Sequence, residues 1–321
     1  MQHLVSVIMP AYNSGRYLAE SVRSVQAQTF GGWELIIVDD GSTDDTAAVA
    51  QSLVDADPRV RYVARPNGGQ GAARNTGLGT ARGRLVAFLD SDDLWLPEKL
   101  AAQLAVLEET GADLVYTDGY IFSDDGAEWP DEQFLIVPGE RRGVEMFRTL
   151  FASNRIATLS VLVKREALDA VGLFDEERAY QNCEDYDLWM RLAKWGASFY
   201  GMTEKLMRYR RHAAATTYSA SRLLSPMLAL ILKHAPDPAL DPALVKSRVR
   251  GLYRDLISAL VAEGRVEEAR RRMREFYAWD GGALVTTLQR MLLRSFPRRY
   301  NYISRECLYR AEWHVGRLLG R

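Results

Sequence analysis

Through the first ninety residues, short continuous apolar runs alternate with segments whose apolar positions recur every three or four residues. Val5-Ser6-Val7-Ile8-Met9-Pro10 is a run of the first kind and reads as a strand entering a loop. Tyr17, Leu18, Val22 and Val25 then share one face of a predicted helix over Gly15–Gln28. Trp33–Val38 is a second strand, ending in Asp39-Asp40-Gly41-Ser42. Thr43–Leu53 reads as a helix capped by Ser42 or Thr43, with Asp44 and Asp45 in its first turn, where the helix dipole favours acids. Val60–Ala64 is a third strand. The loop Asn67-Gly68-Gly69-Gln70-Gly71 leads into a helix through Ala72, Ala73 and Leu78, and Leu85–Leu89 is a fourth strand. This alternation predicts an α/β fold with a mostly parallel central sheet flanked by helices on both faces.

Further along the pattern is more mixed. Strands are expected at Asp113–Phe122 and Leu159–Lys164, an irregular loop at Trp129–Pro138, and a pair of short strands over Ala197–Arg210. Glu184–Trp195 reads as a helix burying Leu188, Leu192 and Trp195. Beyond about Ser219 the spacing turns helical, with helices at Ala243–Glu263 and Val266–Trp279 joined at Gly264, and Pro236, Pro238 and Pro242 marking a linker. The expected division is a domain over 1–219 and a helical C-terminal extension over 220–321.

Charge divides the chain in the same region. From Arg222 onward there are 19 Lys+Arg against 10 Asp+Glu, a net of +9, so the preceding part carries −10 of the overall −1. An acidic first portion suits cation binding, and a basic tail suits an acidic partner or an anionic membrane surface. Cys183 and Cys307 offer no disulfide framework and no paired metal motif, which favours a reducing compartment. The apolar stretch at Leu4–Met9 is too short for a secretory signal, and Met227–Leu232 is far too short to cross a bilayer.

The densest chemistry lies in Leu89-Asp90-Ser91-Asp92-Asp93, three carboxylates at the C-terminal edge of a buried strand, where open α/β sheets place ligands. Such acids repel one another unless a cation lies among them, and a divalent metal shared with diphosphate oxygens answers that need; a solvated turn or helix cap is the plainer meaning. Pro10-Ala11-Tyr12-Asn13 and Asp39-Asp40 would meet at the same edge, Tyr12 suited to stacking on a nucleobase and an Asp to accepting its imide or amide N–H; alternatively Tyr12 covers the sheet edge and the acids cap a helix. Arg74, about one turn inside its helix, can pair with phosphate or with the Asp90–Asp93 cluster. Glu184 and Asp185 sit at a helix start, as bases toward a hydroxyl or as ordinary first-turn acids. Tyr209-Arg210-Arg211-His212 ends a strand, its Arg211 and His212 within reach of a metal or diphosphate or part of a surface basic cluster.

The order of these segments resembles glycosyltransferase family 2, which has the A-type nucleotide-diphospho-sugar transferase fold. The likeness is carried by Ser6–Asn13, Val38–Asp44, Ala73–Gly77, Asp90–Asp93 and Glu184–Trp189, and covers about residues 4–212. It implies inverting transfer from a nucleotide-diphospho-sugar to a hydroxyl on a saccharide or lipid-linked acceptor, with Mg²⁺ or Mn²⁺. Carried over by position, Pro10, Ala11, Tyr12, Asn13, Asp39, Asp40, Arg74, Asp90, Ser91, Asp92 and Arg211 would bind the donor. Asp92, Asp93 and His212 would serve the metal, and Asp185, with Glu184 beside it, would be the catalytic base.

Two other readings compete. A nucleotidyltransferase would also set a metal on such a sheet, but would release pyrophosphate and need no separate base; a non-catalytic carbohydrate- or partner-binding module would use the acids for Ca²⁺ alone. No nucleic-acid partner is expected. Arg270–Arg272 and Arg294, Arg298 and Arg299, near Met291–Leu293 and Phe296, suit either an amphipathic contact with the inner face of a membrane, a homodimer contact, or a hairpin with solvated arginines. The expected location is cytoplasmic or peripheral on that face.

Overall fold

A computed structural model of the chain describes residues 5–124, 127, 134, 136–212 and 220–280. It divides into two compact units, Met1–Ala215 and Thr216–Arg321.

The first unit is built on a mixed sheet with helices on both sides. In chain order its elements begin β1 Val5–Ala11, α1 Gly15–Gln26, β2 Trp33–Asp39, α2 Thr46–Ala56, β3 Val60–Ala64, α3 Gln70–Thr80 and β4 Leu85–Phe88. The sheet order β3-β2-β1-β4 is parallel throughout, as expected of buried strands joined by helices. Every residue of β1, β2 and β4 is buried, which is why these strands read as continuous runs. The chain winds outward from β1 through β2 to β3, then returns to the other side of β1 as β4. The ends of β1 and β4 therefore flank a point where winding reverses and a crevice opens.

α1 buries Leu18, Val22 and Val25 against this sheet. α3 packs so closely that a Cβ on Gly77 would lie 2.6 Å from Ile8 Cγ2 and 3.2 Å from Val38 Cγ2, so no larger residue fits there without displacement. α2 begins three residues later than the sequence pattern suggests. Asp44 accepts from Gly15 N and Thr46 N, and Thr46 Oγ1 accepts from Ser14 N at 2.8 Å. Residues 40–45 are thereby held as a loop that ties the ends of β1 and β2 together.

The remaining elements are β5 Leu94–Trp95, α4 Lys99–Thr110, β6 Leu114–Ser123, β7 Gly139–Arg142, α5 Gly143–Ala152, a 3₁₀ turn Thr158–Ser160, β8 Leu162–Lys164, α6 Arg165–Val171, α7 Glu184–Trp195 and β9 Ser198–Arg211. β8 lies antiparallel between β4 and β6, β9 runs parallel to β6, and β5 and β7 pair antiparallel with β9. The sheet is thus parallel in its first half and mixed in its second. Two corrections follow. The expected pair of short strands is one 14-residue strand, irregular in register where it passes Asp118 of β6. Trp195, expected on the buried face of α7, is 52% exposed: helix spacing aligns it with Leu188 and Leu192, but it lies in the last turn, beyond the packed part of the helix.

The second unit contains α8 Ala220–His234, α9 Pro242–Ala262 and α10 Val266–Asp280. Asp241 caps α9 by accepting from Ala243 N at 2.9 Å, with Pro242 at the first helical position, so the proline cluster is a connection between two helices of this unit. Gly264 at φ 76° ends α9 where the sequence indicated a turn. Arg270, Arg271 and Arg272 pair with Glu267, Glu268 and Glu275 on their own helix. Arg294, Arg298, Arg299, Met291–Leu293, Phe296, Cys307 and most of the Trp129–Pro138 loop lie outside the described residues. No helix among those described is long and apolar enough to cross a membrane.

Candidate active site

The parallel register of β1 and β2 opposes Ala11 to Asp39, and Asp40 N donates to Ala11 O at 2.8 Å, so the loops after the two strands meet at one edge. Asn13 adopts a left-handed conformation (φ 52°), donating from its N–H to Ser42 Oγ at 2.9 Å and accepting from Thr43 N at 2.8 Å. Asn is among the few side chains that tolerate this conformation. Pro10 and Ala11 are buried in β1, whereas the Tyr12 ring stands 54% exposed. Asp39 accepts from Ser42 N and Tyr62 Oη, each at 2.8 Å. Asp40 accepts from Gly68 N at 3.0 Å and Gly69 N at 2.7 Å, with Arg65 at 3.5 Å. Both carboxylates are buried with internal donors. The backbone N–H groups of the glycine loop thus bind the Asp40 carboxyl group.

Arg74 is the hub of the acidic cluster. It is 2% exposed; its Nη2 donates to Asp90 Oδ1 and its Nη1 to Glu184 Oε1, both at 2.7 Å. One guanidinium therefore joins the edge of β4 to the start of α7, elements some ninety residues apart. Of the two partners foreseen for Arg74, phosphate and the Asp cluster, the structure realises the second. Its terminal nitrogens are engaged by the buried Glu184 and the partly exposed Asp90, which tie the guanidinium to the protein. Glu184 is buried, and its second oxygen has no partner among the described residues.

The neighbouring acids part company. Ser91 turns inward, donating to Ser14 Oγ at 2.7 Å and accepting at its carbonyl from Ser21 Oγ, so it braces the edge and does not face a donor as expected. Asp92 remains partly open and meets His212 Nε2 at 2.9 Å. Asp93 is buried and accepts from Arg210 N at 2.7 Å. Burial, with the Asp92 and Asp90 carboxylates adding to it, pushes its carboxyl well above the usual range.

The expected metal set therefore changes. Asp92 and His212 touch, but Asp93 is withdrawn onto β9, and no group of three metal-ligating side chains forms among the described residues. A carboxylate and an imidazole still suit a divalent ion whose other positions are filled by diphosphate oxygens and water. Among the described residues, His212 Nδ1 is buried without a hydrogen-bond partner.

Arg211 is exposed, while Arg210 is buried and engages Asp92 O at 2.7 Å, Asp124 at 3.0 Å and Glu20 at 2.6 Å. Its guanidinium also lies 4.9 Å from the Tyr17 ring, which sits 4.8 Å from His212. Both arginines belong to the Tyr209–His212 segment read from the sequence, and Arg210 is the one whose guanidinium packs inward. Strand alternation held the signal: His212 belongs to the crevice, and Arg210, two residues before it, shares its face.

Asp185 occupies the first turn of α7. Its Oδ1 accepts from Tyr186 N at 2.7 Å, and its Oδ2 accepts from Thr158 Oγ1 on the 3₁₀ turn. Burial, then the neighbouring Glu184 charge, raises its carboxyl to about 6, against the opposing pull of Arg74 and of the two hydrogen bonds. That value suits a group that accepts a proton near neutral pH. Thr158, like Asp124, was not singled out in the sequence, where no spacing relates it to Asp185.

The model of the family described as Glycosyl transferase family 2 matches residues 6–170. The TuaG glycosyltransferase of Bacillus subtilis (strain 168), named for teichuronic acid biosynthesis, is 36% identical over 208 residues, 64% of this chain and 79% of its own length. An Escherichia coli UDP-Glc:alpha-D-GlcNAc-diphosphoundecaprenol beta-1,3-glucosyltransferase, WfgD, is 31% identical over 193 residues, 60% of this chain and 70% of its own. Among solved structures, S. aureus TarS 1-349 in complex with UDP-GlcNAc aligns with a TM-score of 0.61 at 20% identity, covering 88% of this chain and 93% of TarS 1-349. The Pyrobaculum calidifontis mannosyltransferase PcManGT in complex with GDP-Man and Mn²⁺ aligns at 0.56 and 19% identity, covering 94% and 83%. These last two speak for the fold. By sequence match and by architecture, this chain belongs to glycosyl transferase family 2, the family whose motifs it carries in order.

Proposed function

We propose that the chain transfers a sugar, with inversion at the anomeric carbon, from a nucleotide-diphospho-sugar to a hydroxyl of a glycan or lipid-linked saccharide. The observation that carries this reading is the Arg74 bridge. It holds Asp90, on the donor-side edge, to Glu184, the immediate neighbour of Asp185. The bridge ties the donor-side edge to the start of the helix that carries Asp185, which supports a single-site displacement and which a simple acidic turn does not need.

In this scheme the Tyr12 ring stacks on the nucleobase, with Asn13, Asp39 and Asp40 setting the loop beneath it. Asp92 and His212 would hold a divalent ion, whose chemistry when bound would be to neutralise diphosphate charge on the leaving group. Mn²⁺ accepts the carboxylate–imidazole pair more readily than Mg²⁺, which prefers oxygen donors throughout. Asp185 takes the proton of the acceptor hydroxyl. That oxygen forms its bond to the anomeric carbon as the bond to the diphosphate oxygen opposite breaks, and the nucleoside diphosphate leaves with the electron pair. No second carboxylate has to form a covalent intermediate. Glu184 stays on Arg74 and shapes the site around Asp185.

WfgD, by its name, acts on a diphosphoundecaprenol-linked saccharide, and TuaG is named for a polymer of the cell envelope. Both support an envelope-polysaccharide role for this chain; a place on the inner face of the membrane belongs to the same proposal. Peripheral contact or a homodimer through the basic C-terminal region fits that setting; co-sedimentation with anionic vesicles and light scattering test the two.

The decisive experiment has two parts. Nucleotides and nucleotide-sugars are screened by thermal shift with and without Mn²⁺; a ligand at a hundred times its dissociation constant stabilises by about 2.7 kcal/mol. The product of the best donor is then examined by NMR. An anomeric configuration opposite to that of the donor supports the scheme, and a retained configuration refutes it.

A further inference from the structure

Behind the crevice, a buried file of polar side chains runs from β5 and α4 to the 3₁₀ turn that meets Asp185. Lys99 has no exposed surface; its Nζ donates to Gln103 Oε1, one helical turn on, at 2.7 Å, and lies 4.1 Å from the centre of the Trp95 ring. Burial holds its amine well below the usual lysine range. With its oxygen fixed, Gln103 directs Nε2 to two main-chain carbonyls, Val115 O at 3.0 Å and Ser160 O at 2.8 Å. Trp95 Nε1 donates to Leu159 O at 2.8 Å. The carbonyls of Leu159 and Ser160 are thus gripped from the core, while the Thr158 hydroxyl on the same turn reaches Asp185 on the crevice side. A lysine and a glutamine are costly to desolvate, and these two are fully buried. The transfer chemistry uses neither.

We infer that Lys99, Gln103 and Trp95 form an internal strut for the 158–160 turn, and that Thr158 is thereby the positioning residue for the Asp185 carboxylate. This rests on the reading of Asp185 as the base. The charged groups around that carboxylate are Glu184 on its own helix, Arg74 from α3, and Asp90 beyond Arg74. Among the described residues, Thr158 is the one neutral side chain that bonds it, so it can be altered without changing the local charge. A hydroxyl donating to a carboxylate favours the ionised form and fixes its orientation.

The test measures kcat/KM from pH 5 to 9 on the full chain, using the donor from the thermal-shift screen, for wild type, Thr158→Val, Thr158→Ser and Gln103→Met. Thr158→Val moves the acid limb up by about one pH unit, which lowers kcat/KM about fivefold at pH 6 and hardly at all at pH 8. Donor KM is unchanged. Thr158→Ser returns the limb to its wild-type position. Gln103→Met shifts it in the same direction as Thr158→Val, with melting temperature recorded to register any loss of fold. An unmoved limb in Thr158→Val, a loss uniform across pH, or identical behaviour of the Val and Ser variants overturns the inference. Failure of the underlying reading looks different: Asp185→Asn, with Thr158 intact, would then keep both its turnover and the acid limb.

Discussion

Replacing Arg74 by Met probes the joint on which the site depends, and does so without any substrate. The guanidinium is almost wholly buried and holds Glu184, itself buried, and the more open Asp90. Met keeps much of the side-chain volume but leaves the Glu184 carboxylate uncompensated. Removing one partner of such a buried pair costs about 3–5 kcal/mol. At about 2–4 °C per kcal/mol for a unit of this size, the melting temperature of the first unit falls by about 6–20 °C. Adding Glu184→Gln removes the stranded charge and recovers more than half of the loss. Calorimetry on the four members of the cycle is the assay. A fall below about 3 °C, or no recovery in the double variant, would refute the reasoning.

Three further outcomes are expected. Asp185→Asn lowers kcat by about a hundredfold or more while the donor still binds, as measured by calorimetry; weakened donor binding with normal turnover contradicts the base assignment. In the wild-type enzyme, kcat/KM falls as pH drops through about 6, because the proton acceptor is then protonated; a flat profile down to pH 5 argues against Asp185. Asp92→Ala and His212→Ala each weaken nucleoside diphosphate binding in the presence of Mn²⁺ and much less in its absence. Equal losses under both conditions would remove these two residues from the metal.

The sequence by itself determined the α/β class, the four parallel strands and the segments that supply the site. Strands buried on both faces must be continuously apolar, and helices that cover them must repeat every three or four residues. Those rules put Pro10–Asn13, Asp39–Asp40 and Asp90–Asp93 on one sheet edge. They also located α7 and the acids in its first turn. What they could not assign was which oxygen of each acid faces which donor. Asp92 and Asp93 are adjacent and alike in sequence, yet the backbone N–H of Arg210 withdraws one and His212 meets the other. Arg210 and Arg211 are likewise interchangeable in a string of letters, and the face each presents depends on the register of β9 against its neighbours. Arg74 gained its role only when α7, folding from the far side of the chain, brought Glu184 within 2.7 Å of it. The Thr158–Asp185 contact is of the same kind. Local sequence fixes periodicity and therefore elements; side-chain partnership across many tens of residues is settled by how those elements pack, because a hydrogen bond is sensitive to tenths of an ångström that no spacing rule encodes.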